Sequence, residues 1–402
     1  MPAPLPEPLR DRLPLGFPPP VVPADNPLTA GKVALGRHLF YDRRLSGDGH
    51  YACASCHRQE LAFTDGRARA VGATGEILPR AAMSLANAAY NATLAWDEPE
   101  LTRLEDQALV PMLATEPIEL GIAGRETVVL ARLRADARYR ELFAAAFPDE
   151  ADPFTLGHVV RALASFERTL ISGDSPYDRL LYRDDREALS PAARRGMELY
   201  FSAELRCAEC HAGFNFSGPV RFAAPRGGGT FEPPPAFFNT ALYDLGGGAY
   251  PLDSPGLVRH TGRPGDHGRF RAPTLRNVAL TAPYMHDGSI ATLGEVIDHY
   301  AAGGRAPANP AKDPRLAGFA ISIQERADLI AFLEALTDRS FVTDPRLSDP
   351  FAAGSENAPA GAAGKVGEMF SACRSLHNGQ TARRARRARA PPGRRSRAEI
   401  AV

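Results

Sequence analysis

With 402 residues, 44% of them hydrophobic, the chain can bury one or two cores of ordinary domain size. Its 47 basic and 47 acidic residues cancel, yet residues 341–402 hold 11 Lys/Arg and 5 Asp/Glu, leaving 36 against 42 in residues 1–340. That mildly acidic body argues against nucleic acid as a partner, and no apolar run approaches the roughly 18 residues of a membrane span.

Residues 1–28 are Pro-rich and read as an extended lead-in, without the basic-then-apolar pattern of a signal peptide. A helix is expected over Gly31 to Phe40. It leads into Cys53-Ala54-Ser55-Cys56-His57, and the same pentapeptide pattern returns at Cys207-Ala208-Glu209-Cys210-His211. The spacing lets two thiols bond the two vinyl groups of one haem while the adjacent His reaches the iron. A zinc knuckle, a disulfide and a redox dithiol are the alternatives. Zinc sites have no systematic His directly after the second Cys, and a lone Cys-x-x-Cys usually sits in a thioredoxin-like pattern. Two such motifs in one chain predict a dihaem c-type cytochrome with two covalently bound haem c groups. Because such haem is normally attached after export, a periplasmic location is expected.

Between the motifs, Leu156, Val159, Val160, Leu163, Phe166 and Leu170 follow a 3.6-residue period and predict an amphipathic helix. Ser190 as N-cap and Pro191 at the first helical position open a helix before the second motif, so helix-then-motif forms a weak internal repeat. Gly/Pro-rich stretches at 218–236 and 246–268 read as loops. Ser322-Ile323-Gln324-Glu325 is a capping box that opens a last helix through Leu336. No sustained alternation suggests a large sheet. The expected fold is mainly α, with two cytochrome c-like domains at 29–186 and 187–340, each holding one haem. The arginine-rich segment 341–402, which contains the fifth cysteine, Cys373, reads as a disordered basic tail rather than an interaction arm.

Residues around the motifs carry a family resemblance. Leu39-Phe40-Tyr41-Asp42 through Leu45-Ser46, and Phe63-Thr64-Asp65-Gly66, resemble the bacterial dihaem cytochrome c peroxidases. So do Ala272-Pro273-Thr274-Leu275-Arg276-Asn277 and Ala282-Pro283-Tyr284-Met285-His286-Asp287-Gly288. The match spans roughly residues 28–340. Within the family the chain is most similar to the MauG-like branch, and especially to the dihaem enzymes associated with methanobactin gene clusters (MbnH-like). In the peroxidases a His after the first motif plugs the open face of that haem, but no His occurs between His57 and His158. The resemblance therefore implies an open, peroxide-reactive iron on His57 and an electron-transfer haem on His211.

Further roles come from the resemblance. Fourteen residues beyond His286, where the peroxidases place a Met ligand, this chain has Tyr300, the implied second ligand of the His211 haem; Met285, His286 and His299 are its rivals. An anionic phenolate favours oxidised iron, whereas a thioether favours reduced iron. Glu119 matches the acid–base catalyst and Gln107 its pocket partner, with Glu116 as competitor because the match carries a two-residue insertion. Trp96, the only Trp, matches a relay between the haems. Calcium is implied at the carbonyls of Thr281 and Pro283, but the expected Asn is Ala81, which weakens that site.

The implied activity uses hydrogen peroxide to form a high-valent dihaem state that oxidises an aromatic residue, Trp first, on a secreted partner protein. Two other readings stand beside it. One is a cytochrome c peroxidase drawing electrons from a small cytochrome. The other is a non-catalytic electron carrier, which needs a further ligand such as His158 to close the first haem.

Overall fold

Thr29 opens the first long helix by accepting a hydrogen bond from the Lys32 amide, and the helix runs Ala30–Tyr41 in the computed structural model of the chain. The structure describes residues 5–10, 12–224 and 229–352. It is mainly helical. Among the described residues the sheets are two antiparallel pairs of two-residue strands: Phe222–Ala223 with Thr230–Phe231, inside the 218–236 stretch expected to be a loop, and Phe238–Asn239 with Arg269–Phe270, just outside the expected loops.

Two apolar cores organise the fold. The first gathers Leu35, Leu39, Phe40, Phe63, Phe143, Leu163 and Phe166; the second gathers Tyr200, Phe216, Ile297, Leu329 and Phe332. In each, the helix before the Cys-x-x-Cys-His motif packs on a later helix: Ala30–Tyr41 on Leu156–Glu167, and Pro191–Tyr200 on Ile323–Glu334. Each pair meets at a glycine. A Cβ on Gly36 would overlap the Ala162 carbonyl oxygen, and one on Gly196 would overlap that of Asp328. The N-caps Ser190 and Ser322 form as the sequence predicts, the latter with its Glu325 capping box.

The duplication goes deeper than helix-then-motif. Asn87 and Asn277 both adopt left-handed backbone, at φ 59° and 61°. The Asn87 amide donates to the Leu170 carbonyl at 2.8 Å and the Asn277 amide to the Leu336 carbonyl at 3.0 Å, each acceptor lying just past a packing helix. Asn tolerates this conformation better than other non-Gly residues, which is why it stands at both turns. Ser84-Leu85-Ala86-Asn87 and Thr274-Leu275-Arg276-Asn277 are the sequence trace of this shared frame.

The two ends of the body depart from the expected boundaries. The lead-in is built into the fold: Leu9 and Phe17 are buried, and Phe17 lies edge-on to both Tyr90 and Phe214, under the guanidinium of Arg276. Nor does folded structure stop at 340. Residues Arg339–Thr343 form a helix, and Phe341, Val342 and Leu347 enter the first core. Gln59 donates to the carbonyls of Phe341 at 3.1 Å and Asp344 at 2.9 Å, Arg37 to that of Ser348 at 2.7 Å, and the Tyr41 hydroxyl to that of Leu347 at 2.7 Å. A tail therefore starts no earlier than residue 353; the remainder, with Cys373 and the arginine run, lies outside the described residues.

Candidate active site

Cys53–Cys56 form one helical turn, and the His57 amide donates to the Cys53 carbonyl at 3.0 Å. Cys207–Glu209 form a tighter turn, with the His211 amide on the Cys207 carbonyl at 3.0 Å. A three-residue step on such a turn brings both thiols to one side. The four thiols are not joined in disulfides. Burial pushes Cys53 and Cys207 up to about 12 and Cys210 up to about 11, and raises Cys56. Among the described residues no group of three or more His, Cys, Asp or Glu could hold a metal ion.

The two histidines are prepared in the same way. Nδ1 of His57 lies 2.8 Å from the Phe63 carbonyl, and Nδ1 of His211 lies 2.9 Å from that of Pro273. A carbonyl can only accept, so Nδ1 carries the proton and Nε2 keeps a free lone pair. Burial lowers both imidazoles and holds them neutral. Paired protonated thiols beside a neutral, pre-oriented imidazole fit a haem at each motif.

A cavity of about 70 Å³ opens beside His57. Phe40, Leu85, Met112 and Leu163 give it apolar walls, while Gln107, Glu119 and Glu167 supply polar groups. His57 is the one imidazole in its lining. His158 is engaged elsewhere: its ring stacks on Phe147 at 4.0 Å and its Nδ1 lies 2.9 Å from the Pro153 carbonyl.

Glu119 is held into this cavity from two sides. Its carbonyl accepts from the Ala73 amide at 2.7 Å, and the Ile118 amide donates to the Glu76 carboxylate at 2.8 Å. On the other side the Leu120 amide donates to the carbonyl of Pro111, in the helix Leu104–Leu113 that carries Gln107. Burial raises the Glu119 carboxyl above its ordinary value. Glu116 is exposed and absent from the lining. Glu167 went unnoticed in the sequence. It is buried in the helix Leu156–Glu167, one carboxyl oxygen has no hydrogen-bond partner among the described residues, and burial pushes it up to about 8. A charge inside an otherwise apolar helical face was the available signal.

Around the second motif, Tyr300 stands in the helix Leu293–Ala301. Burial raises its phenol, and the thiols of Cys210 and Cys207 add to the shift, so it shares their surroundings. Burial lowers the rival His299 to about 4, its Nδ1 accepts from the Arg305 amide at 3.2 Å, and His286 stacks on Phe270 at 3.8 Å. Trp96 is half-buried beside Tyr250, Phe270 and Met285 and donates its indole N–H to the Ala81 carbonyl at 3.1 Å. Thr281 turns its hydroxyl to the Val278 carbonyl at 3.1 Å; Ala81 offers no side-chain oxygen nearby.

Comparison with known proteins agrees with this arrangement. Residues 30–186 match the family model described as di-haem cytochrome c peroxidase. The chain is 36% identical over 329 residues to the methylamine utilization protein MauG of Methylorubrum extorquens, covering 81% of this chain and 84% of that one. It is 38% identical over 350 residues to the cytochrome-c peroxidase IdrP1 of Denitromonas iodatirespirans, covering 84% and 88%. A solved MauG-like protein associated with microbial copper homeostasis superposes with a TM-score of 0.79 at 46% identity, covering 83% of this chain and 97% of that one. The chain belongs to the dihaem cytochrome c peroxidase and MauG family, as a MauG-like oxidoreductase that carries two haems and takes peroxide as its oxidant.

Proposed function

We propose that this protein is a MauG-like oxidase of the periplasm that uses hydrogen peroxide to oxidise an aromatic side chain, Trp, on a secreted partner protein. The carrying observation is the His57 cavity, which offers Glu119 and Gln107 to an incoming peroxide and, among the described residues, no second imidazole in its lining. Bound at the two motifs, haem would supply iron that reacts with peroxide at the first site and stores an oxidising equivalent at the second. Glu119 takes a proton from one peroxide oxygen and returns it to the departing one. Gln107 orients the peroxide through its amide. Tyr300 would hold the second haem together with His211, and Trp96 would relay charge between the sites. In balance, the substrate loses two electrons and peroxide with two protons becomes two waters.

A second reading, a peroxidase fed by a small cytochrome, draws support from the 38% identity to a cytochrome-c peroxidase. Spectra of the fully loaded ferric protein separate the two. EPR showing one high-spin and one low-spin haem, with direct conversion by one equivalent of peroxide to a long-lived oxidised state, is expected. Two low-spin haems, inert until half-reduced, would replace the oxidase reading with the peroxidase.

A further inference from the structure

Among the described residues three arginines are buried: Arg168, Arg271 and Arg276. Two of them have their counter-charges. Arg276 holds both oxygens of buried Asp178, at 2.8 and 2.9 Å, and Arg168 donates to Glu105 at 2.8 Å. Arg271 has none. No carboxylate among the described residues pairs with it, its Nε has no hydrogen-bond partner, and the one contact its guanidinium makes is from Nη2 to the Met83 sulfur at 3.7 Å. Leaving a cation buried without an anion costs several kcal/mol, by order of magnitude. Arginine cannot escape by deprotonating at physiological pH. A polypeptide keeps such a group where a ligand brings the missing negative charge.

The surroundings say which ligand. The Arg271 amide donates to the Trp96 carbonyl at 2.8 Å, so the residue is fixed to the chain beside the indole. Two residues on, the Pro273 carbonyl receives Nδ1 of His211. Its side chain reaches Met83, whose carbonyl lies by the ring of His57. Arg271 is thus tied through the chain at Pro273 to His211 and through Met83 to His57, the two histidines that would hold iron.

We propose that Arg271 is a carboxylate-binding site, its ligand a propionate of one of the two haems. The guanidinium offers paired N–H donors matched to a carboxylate, and the buried setting strengthens the contact. The claim rests on haem binding at the two motifs and not on the partner or the oxidised product, so it stands or falls separately from the proposed oxidase activity.

The test is spectroelectrochemical titration of the fully haem-loaded protein, wild type against Arg271→Met, Arg271→Gln and Arg271→Lys, at pH 5 to 8. Loss of the cation leaves a buried carboxylate unpaired, which favours the oxidised iron. The midpoint potential of one haem should fall in the Met and Gln variants, and a new pH dependence should appear as the propionate takes up a proton. Arg271→Lys should restore most of the wild-type potential. If Arg271→Met does not accumulate, Arg271→Gln carries the comparison, since it keeps hydrogen bonding without charge. Equal shifts at both haems without pH dependence, or unchanged potentials, would overturn the proposal. So would a wild-type potential that moves with added acetate or phosphate, which would make the ligand a free anion.

Discussion

Trp96 donates its indole N–H to the carbonyl of Ala81, and the Ala81 amide in turn donates to the carbonyl of His286 at 2.9 Å. The indole is thus locked between a first-domain loop and the His-Asp-Gly loop of the second. Trp96→Phe keeps a ring but loses the donor and the readily oxidised indole, leaving the Ala81 carbonyl short of a bond worth about 1 kcal/mol. Peroxide should still react at the first haem, while the lifetime of the oxidised state, followed by stopped-flow absorbance, falls at least roughly tenfold.

Glu119 should leave a pH signature. Its carboxyl is raised by burial, and a base must be deprotonated to accept the peroxide proton. The second-order rate with peroxide should therefore fall on acidification through a pKa above the ordinary carboxylate value. Glu119→Gln should abolish that limb and slow the reaction by about 10²- to 10⁴-fold. The same change at exposed Glu116 should leave rate and profile intact.

Glu167 should act on stability. Its folded-state pKa, about 8, exceeds the ordinary 4.5, so the folded chain holds a proton that the unfolded chain releases. That contribution is complete below pH 4.5 and is lost as pH rises through 8. Denaturant midpoints of the wild type should decline across this window, whereas Glu167→Gln, neutral throughout, should show a flatter profile.

The two glycine crossings predict a matched pair of defects. Gly36→Ala and Gly196→Ala each push a methyl into a carbonyl that cannot retreat without moving a helix. Each should cost about 1–3 kcal/mol or more by overpacking. Absorbance of the loaded protein during denaturation should show the first haem loosening early in Gly36→Ala and the second in Gly196→Ala.

Local signals carried much of this from the sequence. The Ser190 and Ser322 caps act within a few residues, so the helix starts they mark form as expected. The attachment motifs are equally local. What escaped was decided by distant packing: Phe17 against Phe214, Phe341 against Phe63, and Arg271 with no charge beside it. The spacing near Glu119 left Glu116 in play because an insertion hides register, and only folding separates an exposed side chain from one lining a cavity. The paired asparagine turns could have been found by aligning the chain against itself.

The return of Phe341, Val342 and Leu347 to the first core also sets an order of events. A chain is made from its N-terminus, so the second haem domain is complete before the first can close. Until residue 347 is available, the packing around Phe63 and its neighbour His57 stays unfinished. Cys53, which packs on that core, therefore shares its closure with the last helix of the folded body.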